Sequence, residues 1–169
     1  GAGKAVRLEL SVREIAPRDD ASLAAIIRRS LEAHHLDLPG TAYFDLELDR
    51  LSDFYLARPG RRYFVVEDAQ GNALGGVGVA EYRGHEESAE LQKLYLDDRA
   101  KGYGWGSRLI EMACTFARET GYRRIYLETH HALSAAVHLY QKAGFVPVET
   151  GGLPTVHSTM DLFLYREFK

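Results

Sequence analysis

The stretch "RAKGYGWGSRLIEMACTFA", residues 99–117, decides how this chain folds. Glycine alternates at 102, 104 and 106, and the chain then turns at once into an apolar-periodic run. Glycine loses more backbone freedom on folding than any other residue, so this density means that a backbone must come close to something. Leu109, Ile110, Ala113, Phe116 and Ala117 form one stripe at helical spacing, which predicts a helix to about residue 120. Gly121 suits the left-handed position that follows a helix. Just upstream, 88–96 (SAELQKLYL) reads as a strand. A strand, a glycine turn and a helix N-terminus together make an anion site. The first helical N–H groups have no internal partners, and the helix dipole is positive there.

Working outward, 6–15 (VRLELSVREI) alternates apolar and polar residues and predicts a strand that Pro17 ends. Asp19 or Asp20 is placed to cap a helix through about residue 34, with Leu23, Ile27 and Leu31 at helical spacing. Asp45 is placed to cap a second helix carrying Leu48, Leu51 and Tyr55, stopped by Pro59-Gly60. The period then changes to two: 62–68 and 73–82 flank Gln70-Gly71-Asn72 and predict a hairpin. Beyond the glycine segment, 124–129 predicts a strand and 134–143 a short helix with Gly144 after it. "FVPVE" and 157–168 predict two last strands. The sum is one α/β domain over 1–169, with no internal repeat or linker.

Composition narrows the class. At 169 residues the chain can bury a real core, and 46% hydrophobic with 27% charged residues is ordinary for a globular protein. A net charge of −3 offers no general attraction to nucleic acid or an anionic membrane. The single cysteine, Cys114, lies in the helical stripe and reads as a buried thiol, which suits a reducing compartment such as the cytoplasm. No run reads as a membrane span or a signal peptide.

Several phosphate motifs share the physics of the glycine turn. A Walker A loop needs Gly-x-x-x-x-Gly-Lys-Ser/Thr, which the chain lacks. A dinucleotide fingerprint fits at Gly102 and Gly104 but meets Ser107 in its third place. Arg99-x-x-Gly102-x-Gly104 instead resembles the Arg/Gln-x-x-Gly-x-Gly/Ala signature of the GNAT superfamily of N-acetyltransferases. Its context resembles the family too. "AELQKLYLDDRAKGYGWGSRLI" (89–110) is similar to the central strand, pyrophosphate loop and following helix. "RRIYLETHHALSAAVHLYQKAGFVPVE" (123–149) is similar to the next strand, the short helix and the Tyr-x-x-x-Gly-Phe run.

The resemblance implies a mixed, mostly antiparallel twisted sheet flanked by about four helices, and acetyl-CoA as acetyl donor. It places the pantetheine arm against Leu94, Tyr95 and Leu96. The diphosphate would lie in the backbone of Arg99, Ala100, Lys101, Gly102, Tyr103, Gly104, Trp105, Gly106 and Ser107, with Arg99 and Lys101 adding charge. Lys101 has the alternative of a solvated surface lysine. Many relatives carry Asn where this chain has Leu133, and Ser134 is the residue that could supply the missing polar contact.

Tyr140 matches the family position where a tyrosine protonates the departing thiolate, and it also binds the cofactor end of the site. Its alternative is a core aromatic, since Ala136, Tyr140 and Ala143 share a helical face. A backbone N–H near Leu94 is the expected donor to the thioester oxygen. Glu90 sits where some relatives carry a catalytic glutamate; its alternative is a strand carboxylate in an ion pair. Glu81, Glu128 and His130 are the candidate acceptor-binding residues; Glu81 or Glu128 acting through a water, and His130 or His131, are the further candidate bases. The three carboxylates fall on neighbouring strands, of which one or two should face the cleft. Arg58, Arg61 and Arg62 read as solvated.

No metal is expected: there is no His-Glu-x-x-His, and the paired histidines 34–35 and 130–131 should point apart. The expected partner is a small-molecule or peptide amine, with no nucleic acid or membrane; a homodimer stays open. A non-catalytic acyl-CoA-binding sensor is the rival, needing the same loop but not Tyr140. A nucleotide-binding protein is a second rival, which competition of ATP or NAD against CoA would separate.

Overall fold

The computed structural model describes residues 8–148 and 159–169. In chain order the elements are β1 (Ser11–Glu14), α1 (Asp20–Ala33), α2 (Leu51–Leu56), β2 (Arg62–Glu67), β3 (Ala73–Glu81), β4 (Ser88–Leu96), α3 (Trp105–Thr120), β5 (Arg124–Thr129), α4 (Ser134–Lys142), β6 (Val146–Pro147) and β7 (Leu162–Glu167). The strands form one seven-stranded sheet in the order β1-β2-β3-β4-β5-β7-β6. Every neighbouring pair is antiparallel except β4 and β5. A parallel pair needs a long crossover, and α3 supplies it. The mixed, mostly antiparallel sheet with four helices is the expected class.

Strand alternation divides the core in two. Tyr63 and Val65 point into a cluster with Leu23, Ile27 and Leu31 of α1 and Leu51 and Tyr55 of α2. Val66, Val77, Val79 and Leu91 point the other way, onto the stripe of α3. Leu109 and Ile110 of that stripe are fully buried, each side chain worth roughly 1.5–3 kcal/mol of transfer free energy.

The centre of the sheet is interrupted. β4 and β5 pair only at Ser88↔Arg124, Ala89↔Ile125 and Glu90↔Tyr126, although β4 continues to Leu96 and β5 to Thr129. Past Glu90 the two strands part and leave a wedge. On its other edge β4 bulges: Gln92 pairs with Gly78 and Tyr95 with Gly76, so Lys93 and Leu94 together stand opposite Val77. Lys93 carries the positive φ of 49° that this needs. The Tyr63 hydroxyl donates to the Lys93 carbonyl at 2.8 Å, and the Lys93 ammonium is clamped by Asp45 at 2.7 Å and Glu47 at 3.7 Å.

Several boundaries differ from the sequence expectation. The first strand is shorter, and residues 6 and 7 lie outside the described residues. Asp19 holds the N-cap position of α1, but its side chain makes no capping hydrogen bond to the helix. The Asp19 carboxylate accepts from the Ala16 N–H and from Arg13, and Asp20 accepts from the Ser52 N–H and hydroxyl. The helix expected from Asp45 is two short 3-10 turns, Ala42–Phe44 and Leu48–Arg50, followed by the six-residue α2. Asp45 does not cap it because its carboxylate is spent on Lys93. "FVPVE" is strand only at Val146–Pro147, and the last strand spans Leu162–Glu167; Glu149 and residues 157–158 lie outside the described residues.

Candidate active site

The glycine turn does two different jobs. Gly102 (φ 87°) and Gly104 (φ 79°) are left-handed, a conformation that side chains rarely adopt. Gly106 is needed for space: a Cβ there would come 2.6 Å from Leu139 Cδ1 of α4. α3 therefore starts at Trp105 with its first N–H groups facing outward past residues that carry no side chain.

A cavity of about 430 Å³ opens beside this turn. Its walls are Leu94, Tyr95 and Leu96 of β4, the loop residues Ala100, Lys101, Gly102 and Gly104, and Trp105, Gly106 and Ser107 of α3. Leu133, Ser134, Ala135, Ala136 and Leu139 close it from the α4 side, and Ser30 and His34 from α1. Unpaired helix donors, positive-φ glycines and an apolar strand end fit a molecule with a phosphate end and an extended arm. Most of the residues expected to hold the cofactor thus meet in one place. Of the expected cofactor-binding residues, Arg99, Tyr103 and Tyr140 do not line it. The Arg99 Nε is held by Asp97 at 2.9 Å, and Tyr103 packs against the α3 core. Lys101 lines the cavity while its ammonium pairs with Asp98 at 2.9 Å.

Tyr140 stands just behind this wall. It is 5% exposed, with its ring edge-on to Phe145 at 5.8 Å. Burial, and next the proximity of Tyr95, push its hydroxyl pKa well above the usual value, so the group stays protonated. The core reading and the acid reading are compatible: the ring is core, while among the described residues the hydroxyl takes no hydrogen-bond partner.

The three acidic candidates separate by sheet alternation. Glu90 pairs with Tyr126, so Glu90, Tyr126 and Glu128 share one face of the sheet. Glu81 pairs with Ala89 and lies on the opposite, α3 face. There it is held by Arg61, whose Nε lies 3.0 Å from Glu81 Oε2, and by Arg58 at 3.4 Å. Arg61 pulls the Glu81 carboxyl below its usual range. Glu81 is therefore withdrawn from the acceptor side, and Arg61 is not solvated: its side chain is 10% exposed and also donates to the Phe54 carbonyl. Glu90 is the contrasting case. Burial pushes its carboxyl up; a hydrogen bond from Gln92 opposes that, nearby Glu128 adds to it, and Lys93 opposes it.

The histidines do not point apart as expected. The rings of His130 and His131 lie 4.3 Å apart, and both approach Asp161. His130 Nδ1 accepts from the Ala132 N–H at 3.0 Å. Its neutral form therefore carries the proton on Nε2, which lies 3.8 Å from Asp161, too far for a hydrogen bond. His130, His131 and Asp161 offer ligand atoms within 4.8 Å of one another, a clustering the sequence expectation of no metal site did not foresee. Cys114 is buried, and burial pushes its thiol up to about 11, which disfavours the thiolate that an acyl carrier needs.

Sequence reasoning missed Ser30 and His34, which reach the cavity from α1. An i, i+4 pair of polar residues on an amphipathic helix carries no mark of its own. It also missed Gln92 and Tyr55, which meet across 37 residues.

The model of the acetyltransferase (GNAT) family matches residues 24–145. The chain belongs to the GNAT acetyltransferase family. It is 34% identical over 158 residues to a protein of Escherichia coli (strain K12) described as the uncharacterized N-acetyltransferase YjgM, covering 92% of this chain and 93% of that one. It is 35% identical over 101 residues to spermidine N(1)-acetyltransferase of Vibrio cholerae, covering 59% of this chain and 58% of that one. The fold matches the crystal structure of a GNAT-family acetyltransferase from Staphylococcus aureus with a TM-score of 0.80 at 19% identity, over 95% of this chain and 100% of that one. No described helix is long and apolar enough to cross a membrane.

Proposed function

We propose that this acetyltransferase moves an acetyl group from acetyl-CoA directly to a primary amine that carries positive charge, within a ternary complex. The observation that carries this reading is the wedge between β4 and β5. Glu90 stands at its apex, and the glycine-lined cavity opens at its mouth. Bound acetyl-CoA supplies an activated thioester.

The chain's own residues supply the rest. The first N–H groups of α3 and the backbone of the glycine turn hold the diphosphate. The bulge at Lys93 and Leu94 takes the strand out of register with β3, and an N–H there is the donor to the developing oxyanion. The Tyr140 hydroxyl, protonated and without a described partner, gives its proton to the departing thiolate. Glu90, directly or through a water, takes the proton of the incoming ammonium; a carboxyl raised by burial is the better base for it. Glu90 and Glu128 on one face favour a cationic acceptor, and the clamped Lys93 adds little opposing charge.

The test is thiol release from acetyl-CoA across polyamines, amino acids, aminoglycosides, peptide N-termini and lysine peptides. We expect turnover with cationic amines, kcat/KM rising with pH, and both lowered in Glu90→Gln. Preference for an anionic acceptor such as glutamate, with an unaltered pH profile in Glu90→Gln, overturns the reading. CoA binding without thiol release for any amine returns the chain to an acyl-CoA sensor.

A further inference from the structure

Glu90 is held by a chain of hydrogen bonds that begins in the α1–α2 core on its own face of the sheet. Gln92, two residues on and so on the same face of β4, donates from Nε2 to Glu90 Oε1 at 2.5 Å. The hydroxyl of Tyr55 donates to Gln92 Oε1 at 2.7 Å. Tyr55 is 1% exposed and reaches Gln92 because Gly78, paired with Gln92 across the sheet, has no side chain. A Cβ at Gly78 would collide with the hydroxyl and ring of Tyr55.

We infer that Gln92, fixed by Tyr55, is the positioning residue that aims the Glu90 carboxylate and keeps it ionised for proton transfer. The inference rests on Glu90 being the base. An ionised carboxylate can only accept, so the end of the amide facing Glu90 is the NH₂, and the oxygen is left to accept from the Tyr55 hydroxyl. Glu90 Oε1 thereby accepts one hydrogen bond, and Oε2 is the less engaged oxygen for the proton leaving the ammonium nitrogen of the acceptor.

Charge makes this donor matter. The groups around Glu90 among the described residues are Glu128 and Tyr126 of β5, Tyr82 beyond β3, Lys93 of β4, and Asp45 and Tyr55 from the 45–55 segment. Glu128 and Asp45 oppose ionisation, and the ammonium of Lys93 is shared between Asp45 and Glu47. Without the amide, burial and the neighbouring carboxylates would act on the carboxyl unopposed by that donor, and it would ionise at higher pH.

The decisive measurement is titration of the Glu90 carboxyl by ¹³C NMR in the full chain, assigned by its loss in Glu90→Gln. Gln92→Leu should raise the midpoint by about one pH unit, a tenfold weaker acid, since hydrogen bonds to charged groups are among the stronger ones. Tyr55→Phe keeps the ring and frees the amide to turn, so it should raise the midpoint in the same direction by less. It also serves if Gln92→Leu does not fold. Midpoints left at the wild-type value, or lowered, in the variants that fold overturn the inference. The titration needs no acceptor, so its result is separate from the base assignment. That assignment fails on its own if Glu90→Gln keeps the acid limb of the kcat/KM profile.

Discussion

In the proposed site, the two ends of the wedge are built from different material. At the donor end, the working parts are backbone: helix N–H groups, two left-handed glycines and a strand bulge, nearly all between residues 93 and 107. At the acceptor end they are side chains brought from far apart. Glu90 and Gln92 come from β4, Glu128 from β5, Tyr55 from α2, and Asp45 from a loop. A backbone site depends on spacing and tolerates changes of side chain. A side-chain site depends on how distant segments pack, and it can be retuned one residue at a time. That division lets one fold keep a donor while changing its acceptor.

The comparison can be broken at its junction first. Tyr140→Phe removes one hydroxyl and keeps the ring. General acid catalysis is typically worth about 10²–10⁴-fold, so kcat should fall by that order while calorimetric affinity for acetyl-CoA stays near wild type. Wild-type turnover would make Tyr140 purely a core residue. Next comes the donor end. Gly104→Val forces a β-branched side chain into a left-handed position, at a cost of roughly 1–2 kcal/mol, and puts bulk where the phosphates approach. CoA affinity should drop by at least about tenfold. Circular dichroism should change little, because a Cβ there meets no protein atom within 4 Å.

The acceptor end gives a smaller and differently signed test. Glu81→Gln should leave the acceptor KM unchanged and lower stability by about 1 kcal/mol in urea unfolding, because its partner is Arg61. The sign follows from its lowered carboxyl. Its stabilisation is present above the unfolded-state pKa of about 4.3 and is lost as pH falls through the lower folded value. Wild type and Glu81→Gln should therefore converge in stability below that range. A changed KM would return Glu81 to the acceptor side. The smallest effect is expected at Cys114→Ala, where turnover should match wild type because burial disfavours the thiolate that an acyl carrier needs. A large loss of kcat there would argue for a covalent step.

Local spacing explains what was legible. The glycine turn, α3 and strands β4 and β5 carry their signals within about ten residues each, and their bounds match the structure within a residue or two. The bulge at Lys93 was not legible: nothing in "LQKLYL" distinguishes it from plain alternation, and it depends on Tyr63 and Asp45 elsewhere. Glu81 was misplaced for the same reason. Its strand was legible, but the face it occupies is set by pairing with Ala89. The segment 42–56 broke into short turns because its polar groups bind partners outside it: Asp45 holds Lys93, and Ser52 donates to Asp20. Propensity cannot register a partner that lies tens of residues away.

The three register pairs that join β4 to β5 also bear on how the molecule holds together as it opens. They make a narrow neck between two half-sheets, one of β1 to β4 and one of β5 to β7, with α3 as the covalent strap. A ligand seated across the wedge would touch both halves and act as a crossbeam. Beyond the ordinary mass-action gain of about 2.7 kcal/mol at a hundredfold excess over Kd, it should make the halves unfold together. Amide hydrogen exchange tests this: CoA should slow the amides at 94–96 and at 127–129 in parallel. Protection confined to 94–96 would mean that the ligand clings to one half and leaves the neck to carry the load alone.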